Sequence, residues 1–200
     1  MRMALPLRIE LDASAFIRTG VRIVASVLIP RFSLRVACSG RLDEPVALAP
    51  LPGTRQAVGE VSAPAESAGI HPGMPLGEAF ARCPSLRLIG ADPLSVAERW
   101  DELLGRLEGI GAAVESERPG EAFFEVEGLR AIHGGEIAGV LGAAREAVGV
   151  PVRIAAAPNR FAAFLAASRG SRLPREVSGR RGEAIVSPRA LRKFLSPFPV

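Results

Sequence analysis

The chain has 200 residues, 48% of them hydrophobic, which suits one globular domain or two small ones packed together and argues against a disordered chain. The longest apolar run, residues 21–30, is too short to span a membrane, so we expect no membrane partner. Isolated cysteines and histidines predict free thiols in a reducing compartment and no zinc site; these residues are Cys38, Cys83, His71 and His133.

The formal charge of +4 is unevenly distributed along the sequence. Residues 160–193 contain nine basic and two acidic side chains, a local charge of +7, so the rest of the chain carries −3. Only one of the 25 basic residues is lysine. An arginine-rich surface is typical of contact with a nucleic-acid backbone, although a solvated loop can have the same composition. Charge alone leaves both interpretations open.

The first half of the chain predicts one strand followed by an irregular insertion. Residues 1–20 have little periodicity and are predicted to form a terminal arm. Residues 21–29 are rich in β-branched side chains, which indicates a buried central strand. Residues 33–92 contain short apolar pieces broken by proline and glycine, with short helices predicted over residues 64–68 and 75–82. We expect this insertion to have a minor core of its own.

A more regular pattern begins at Asp92-Pro93, a typical helix start with a capping side chain followed by proline. The apolar residues that follow share one helix face: Val96, Trp100, Leu103, Leu104 and Leu107. Residues 121–127 alternate strictly, which predicts a half-buried strand, with Phe123 among glutamates on the outer side. The predicted inner side carries Ala122, Phe124 and Val126. Residues 112–117 are the expected antiparallel neighbour.

Three further elements complete the predicted fold. The first is an amphipathic helix with an apolar face formed by Ile137, Val140, Leu141, Ala144 and Val148. Residues 151–156 predict a strand, and residues 159–168 predict a helix. The side chains expected to point inward from that helix are Phe161, Phe164 and Leu165. Without the insertion the order is strand, helix, strand, strand, helix, strand, which predicts an α/β (α+β) fold of the ferredoxin-like split βαβ type.

Four stretches resemble the Y family of DNA polymerases. Glu60–Leu76 is similar to the fingers motif, in which a helix ends at Gly-Val and the chain continues to Gly-Met-Pro-Leu. Gly120–Gly128 is similar to the palm motif Asp-Glu-Ala-Tyr-Leu-Asp-Val. Ala157–Arg160 is similar to the start of the Pro-Asn-Lys helix, and Ala190–Val200 to the segment that leads into the thumb. The four stretches follow one another in the order of the family.

The resemblance implies a division of the chain into subdomains. Residues 21–32 would contain the first palm strand, and residues 33–92 would form the fingers. Residues 93–200 would complete the palm and end before the thumb.

The same resemblance implies that the functional positions have changed. Active members hold two magnesium ions with carboxylates from two palm strands. The matching positions are Ile29, Arg31, Gly120 and Glu121, and only Glu121 retains a carboxylate, either as a relic or as a residual metal or partner contact. The positions that match the nucleotide-selecting residues are Leu34, Ala63 and Glu66. We therefore expect no catalytic, nucleotide-binding or metal site and no cofactor, with Mg²⁺ needed only by an active polymerase.

These losses are similar to those of the ImuB-like branch, bacterial accessory proteins of damage-induced mutagenesis. The branch implies a cytoplasmic, nucleoid-associated scaffold for DNA repair that binds DNA weakly. It also implies three protein partners: a RecA-like accessory protein, an error-prone replicative-type polymerase and the sliding clamp. DNA-backbone contacts are expected from Arg160, Arg169, Arg172, Arg175, Arg180 and Arg181.

Two alternatives stay open at this stage. The first is an active translesion polymerase fragment with rearranged metal ligands. The second is an unrelated ferredoxin-like module that binds RNA or a small regulator. The predicted outer sheet face argues against RNA binding, because Phe123 is its only aromatic residue and the chain contains no tyrosine.

Overall fold

The computed structural model of the chain describes residues 22–39, 42–169 and 183–197. The predicted arm over residues 1–20 lies outside these ranges. The predicted DNA-contacting residues outside them are Arg172, Arg175, Arg180 and Arg181.

The described residues form seven strands and seven α-helices. The strands are β1 (Val24–Leu28), β2 (Val46–Leu48), β3 (Arg87–Ile89), β4 (Glu115–Arg118), β5 (Glu121–Glu125), β6 (Arg153–Ala157) and β7 (Glu183–Ile185). The helices are α1 (Phe32–Ala37), α2 (Ala63–Ser67), α3 (Leu76–Arg82), α4 (Pro93–Glu108), α5 (Ile137–Val148), α6 (Arg160–Arg169) and α7 (Pro188–Leu195). A single 3₁₀ turn, Glu127–Leu129, follows β5 where the sequence predicted two more strand residues.

The main sheet has five strands in the order β4-β5-β1-β6-β7. β1 is central and pairs antiparallel with both β5 and β6. Together with α4 and α5 these strands form the predicted split βαβ arrangement, so the fold class is confirmed. β7 adds a fifth strand that pairs parallel with β6. The sequence did not reveal β7, because its three residues, Glu-Ala-Ile, are too few to show an alternating pattern.

One face of this sheet packs against α4 and α5. All the residues predicted for the apolar face of α5 are buried, and Asp92 caps α4 by accepting the Ser95 N–H at 3.1 Å. Trp100 is anchored at both ends: its ring meets Phe32 edge-on at 5.2 Å and its indole N–H donates to Ser116 Oγ at 2.9 Å. This aromatic pair connects the start of α1 to the main core.

The opposite face packs against α6, and here the prediction for the inward residues of that helix is wrong. Phe161 is 60% exposed, and Phe164 and Leu165 are only partly buried. The buried side chains are alanines: Ala162, Ala163, Ala166 and Ala167. These small residues let α6 approach the sheet closely, where β6 presents Ala155 and Ala157. The large apolar residues and the alanines of α6 both recur at helical spacing. The prediction chose the large residues, whereas the alanines face the sheet.

The predicted insertion, residues 33–92, begins within α1. After α1, the insertion contains β2, β3, α2 and α3, with β2 and β3 paired in parallel. Its buried residues form a separate hydrophobic cluster: Ala47, Val58, Val61, Ala65, Ile70, Met74, Ala79, Cys83 and Leu86. Ser62 caps α2 by accepting the Ala65 N–H at 3.3 Å. The exact subdomain boundaries stay predictions.

Within the described ranges, no helix has both the length and the apolar character needed to cross a membrane.

Candidate functional site

The positions that the resemblance assigns to metal-binding carboxylates meet at one end of the main sheet. The N–H of Ile29, just after β1, donates to the carbonyl oxygen of Gly120 at 2.8 Å. Leu28, the last residue of β1, lies directly opposite Glu121 in the antiparallel register. The structure therefore brings Ile29 next to Gly120 and Glu121, although Ile29 is far from both in sequence.

The register also shows which side chains share a face there. Residues directly opposite one another in an antiparallel pair point to the same side, so Leu28 is the neighbour of Glu121 on β1. Ile29 is 3% exposed and belongs to the core on the other face. The assignment of the first carboxylate position to Ile29 stays a prediction, and the sequence did not show that Leu28 is the neighbour of Glu121. That neighbour is known only from the register in which β1 and β5 pair, and a comparison of motifs does not contain the register.

Gly120 has no room for a side chain. It forms the turn between β4 and β5 with φ of +87°, a conformation that favours glycine. A Cβ atom at this position would lie 2.8 Å from Phe32 Cβ and 3.1 Å from the carbonyl oxygen of Ile29. The backbone and Phe32 therefore exclude a carboxylate from position 120.

Glu121, the one retained carboxylate, is already paired. Its side chain is 15% exposed, and the Arg118 guanidinium donates to Glu121 Oε2 through Nε at 2.8 Å and also through Nη2. Such a two-pronged arginine contact neutralises the carboxylate and fixes its orientation. Its partner Arg118 is the last residue of β4.

Arg31 does not remain at the strand end where the sequence placed it. It adopts left-handed backbone angles, with φ of 57°, and precedes α1. Its side chain points to the insertion, where Nε donates to the carbonyl oxygen of Val61 at 2.7 Å and Nη2 donates to Glu66. Glu66 lies in α2. By resemblance, its position matches one that holds the nucleotide triphosphate in active members. The two altered positions are thus bonded to each other.

The other two nucleotide-selecting positions lie in different surroundings. Leu34 is fully buried and packs with Val46 and Leu48, so its side chain does not face the sheet end. Ala63 is exposed at the start of α2.

Glu60 is a charged residue that the sequence did not single out. Its carboxylate accepts the Leu34 N–H at 2.8 Å and therefore ties the insertion to α1. Burial raises the pKa of the Glu60 carboxyl, while hydrogen bonds from Leu34 and Ser33 and the nearby Arg31 charge act against that shift. No pattern joins residues 26 apart in the chain, so only the fold reveals this contact.

The side chains at this sheet end do not fit a magnesium pair. Magnesium takes oxygen ligands, usually carboxylates. Leu28, Ile29 and Gly120 supply none, and Glu121 is held by Arg118. Across the part of the chain that the structure describes, no three His, Cys, Asp or Glu residues lie together as a possible metal site.

Arg160, predicted to contact DNA, begins α6 and lies over the sheet. Its guanidinium stacks on the ring of Phe123 at 4.1 Å and donates to Glu115 at 3.3 Å and Glu117 at 3.0 Å. Phe123 lies on the face opposite Phe124, as the alternation predicts, but Arg160 covers it, so it is 3% exposed and the prediction that it is exposed is corrected. Arg169 is exposed at the end of α6.

The chain is similar in fold to solved Y-family polymerases. A Y-family DNA polymerase chimera of Dbh and Dpo4 shares 19% identity with a TM-score of 0.70, over 89% of this chain and 52% of that one. The insertion ternary complex of Dbh DNA polymerase shares 18% identity with a TM-score of 0.69, over the same 89% and 52%. DinB from Sulfolobus solfataricus shares 19% identity with a TM-score of 0.62, over 86% of this chain and 50% of that one. This chain therefore spans about half the length of these structures.

A sheet with this topology and this inserted subdomain defines the palm and fingers region of Y-family DNA polymerases. The model of the IMS family, described as impB/mucB/samB, matches residues 32–168. The chain belongs to this family. No match was found among curated proteins.

Proposed function

We propose that this chain is a Y-family member that has lost polymerase activity and serves DNA damage tolerance as an accessory DNA- and protein-binding scaffold. The observation that carries the proposal is the composition of the sheet end, where Ile29 and Gly120 stand at positions that the resemblance assigns to carboxylates and Arg118 holds Glu121. Two-metal nucleotidyl transfer requires several carboxylates around the ions. One paired carboxylate does not meet that requirement.

The fingers side supports the same proposal. A triphosphate-binding surface needs exposed cations, because the ligand is a polyanion. In this chain Glu66 adds a negative charge, and the nearest cation, Arg31, is bonded to it and to the Val61 carbonyl oxygen. Arg31 is therefore not available to a nucleotide.

Family membership supports the wider context. The similar solved structures include a ternary complex of a DNA polymerase, and we extend DNA contact to this chain as part of the proposal. The ImuB-like assignment and its three protein partners, the RecA-like protein, the error-prone polymerase and the sliding clamp, belong to the proposal as well, as does a cytoplasmic location at the nucleoid.

Primer extension on a duplex with a 5′ overhang tests the proposal, with Mg²⁺ or Mn²⁺ and all four deoxynucleotides. We expect no template-directed incorporation by the wild-type chain or by Glu121→Ala. Incorporation by the wild type that Glu121→Ala abolishes would establish the active polymerase instead. The Glu121→Ala protein is purified in parallel with the wild type. Incorporation that survives Glu121→Ala would indicate a contaminating polymerase.

A further inference from the structure

The last helix, α7, has two chemically distinct faces. Phe194 is buried beside the alanines of α6, and three other apolar residues of α7 pack partly into the same cluster: Ala190, Leu191 and Leu195. The opposite face carries the exposed Arg189, Arg192 and Lys193. Spacings of three and four residues place these three cations next to one another on the helix surface.

Helix stabilisation does not account for this arrangement. Cations near the C-terminal end of a helix interact favourably with its dipole, which suits Arg192 and Lys193. Arg189 lies in the first turn, where the dipole disfavours a positive charge. Neighbouring like charges at this spacing also repel each other, and α7 contains no acidic residue. Arg189 is therefore a cation that α7 itself does not stabilise.

The surroundings of α7 do not compensate the cluster fully. Over residues 22–39, 42–169 and 183–197, Arg189 and Arg192 form no ion pair. By contrast, Arg160 on α6 is held by Glu115 and Glu117. Arg160, one of the two expected DNA-contacting residues that the structure describes, is thus neutralised internally, whereas Arg189 and Arg192 are exposed on α7.

We propose that the basic face of α7, formed by Arg189, Arg192 and Lys193, binds the phosphate backbone of duplex DNA. This inference rests on the DNA contact in the proposed function and assigns that contact to three cations of the basic segment 160–193 that were not among the six residues expected to contact DNA. Arginine and lysine on a short helix face contact successive phosphates without reading bases. Binding through this face is therefore indifferent to DNA sequence and steeply dependent on salt.

The test compares two triple variants by fluorescence anisotropy with a labelled duplex at several salt concentrations. The first variant is Arg189→Gln, Arg192→Gln and Lys193→Gln. The matched control removes the same charge elsewhere, through Arg87→Gln, Arg99→Gln and Arg106→Gln in the insertion and on α4, which packs on the other face of the main sheet. Each lost phosphate contact lowers the slope of log affinity against log salt by about 0.9. We expect the α7 variant to lower the slope by about 2 to 3, and the control to lower it by less than about 1.

Equal slopes for the α7 variant and the control would overturn the inference, because the effect would then follow net charge alone. A wild-type slope retained by the α7 variant would overturn it too, and would leave an acidic protein as the partner of this face. Failure of the wild type to bind duplex DNA at all would instead refute the DNA contact in the proposed function. Circular dichroism checks that each variant is folded, and Arg192→Gln alone, with an expected loss of about 0.9 in slope, replaces the triple variant if that is unfolded.

Discussion

Arg31 and Glu66 form a salt bridge between the start of α1 and the first helix of the insertion. By resemblance, one position belongs to the metal site of the family and the other to its triphosphate contacts. Both side chains have reversed the charge expected there, and each now neutralises the other. In this chain the pair is a structural contact that joins the insertion to the start of α1.

A double-mutant cycle measures this contact. Arg31→Met, Glu66→Gln and the double variant, unfolded in urea, should give a coupling free energy of about 0.5 to 1 kcal/mol, because the pair is only partly shielded from water. The control cycle uses Arg22→Met and Glu125→Gln, a pair whose side chains are 81% and 63% exposed, and should give a value near zero. Coupling no larger for Arg31–Glu66 than for the control would contradict this structural role.

Gly120→Ala should destabilise the chain by about 2 to 4 kcal/mol, because the new Cβ adds a clash to the cost of a positive φ. The clash partners are Phe32 Cβ at 2.8 Å and the carbonyl oxygen of Ile29 at 3.1 Å. Gly134→Ala is the matched control, since Gly134 has φ of +82° with open space around its Cβ position, and should cost about 1 kcal/mol. Urea unfolding of both variants gives the comparison, and equal losses would show that Phe32 yields to a side chain at position 120.

Stability should depend on pH through Glu60. Burial raises its pKa above the ordinary 4.5, so the unfolded chain releases the Glu60 proton at a lower pH than the folded chain does. The free energy of unfolding should therefore fall as the pH rises from 4.5 through the folded-state pKa. Glu60→Gln removes this titration and should flatten the profile over that range, whereas Glu98→Gln, on the exposed side of α4, should leave it unchanged. Identical profiles for wild type and Glu60→Gln would assign the slope to other groups.

Local patterns were enough to predict most of the fold. Amphipathic periodicity identified α4 and α5, because one face of each helix packs on the sheet, and strict alternation identified β5. The errors arose where a contact from a distant segment decides the burial of a residue. Phe123 is buried because Arg160 covers it, and Phe161 is exposed because the alanines of α6 fit the sheet more closely.

The candidate site was predicted less completely, for a related reason. The motifs named residues that the fold brings to one sheet end, since Ile29 and Gly120 are hydrogen-bonded there. They did not show that Leu28 rather than Ile29 faces Glu121, or that Arg31 reaches Glu66. Strand register and side-chain direction are properties of pairs of segments, and a one-residue shift moves a side chain to the opposite face.

Leu28→Asp and Ile29→Asp should differ in their cost to stability, because the two side chains point to opposite faces of the sheet. Ile29 is 3% exposed in the main core, so an aspartate there loses an apolar side chain and leaves a buried carboxyl without a partner. Leu28 is only partly buried beside Glu121, where an added carboxylate can reach solvent and lies close to Arg118. We expect Ile29→Asp to cost at least about 2 kcal/mol more than Leu28→Asp in urea unfolding. Neither variant should restore primer extension, because Arg118 still holds Glu121 and Gly120 still excludes a side chain. A larger loss for Leu28→Asp would place Ile29 at the open side of the sheet end and would overturn the register on which the site is described.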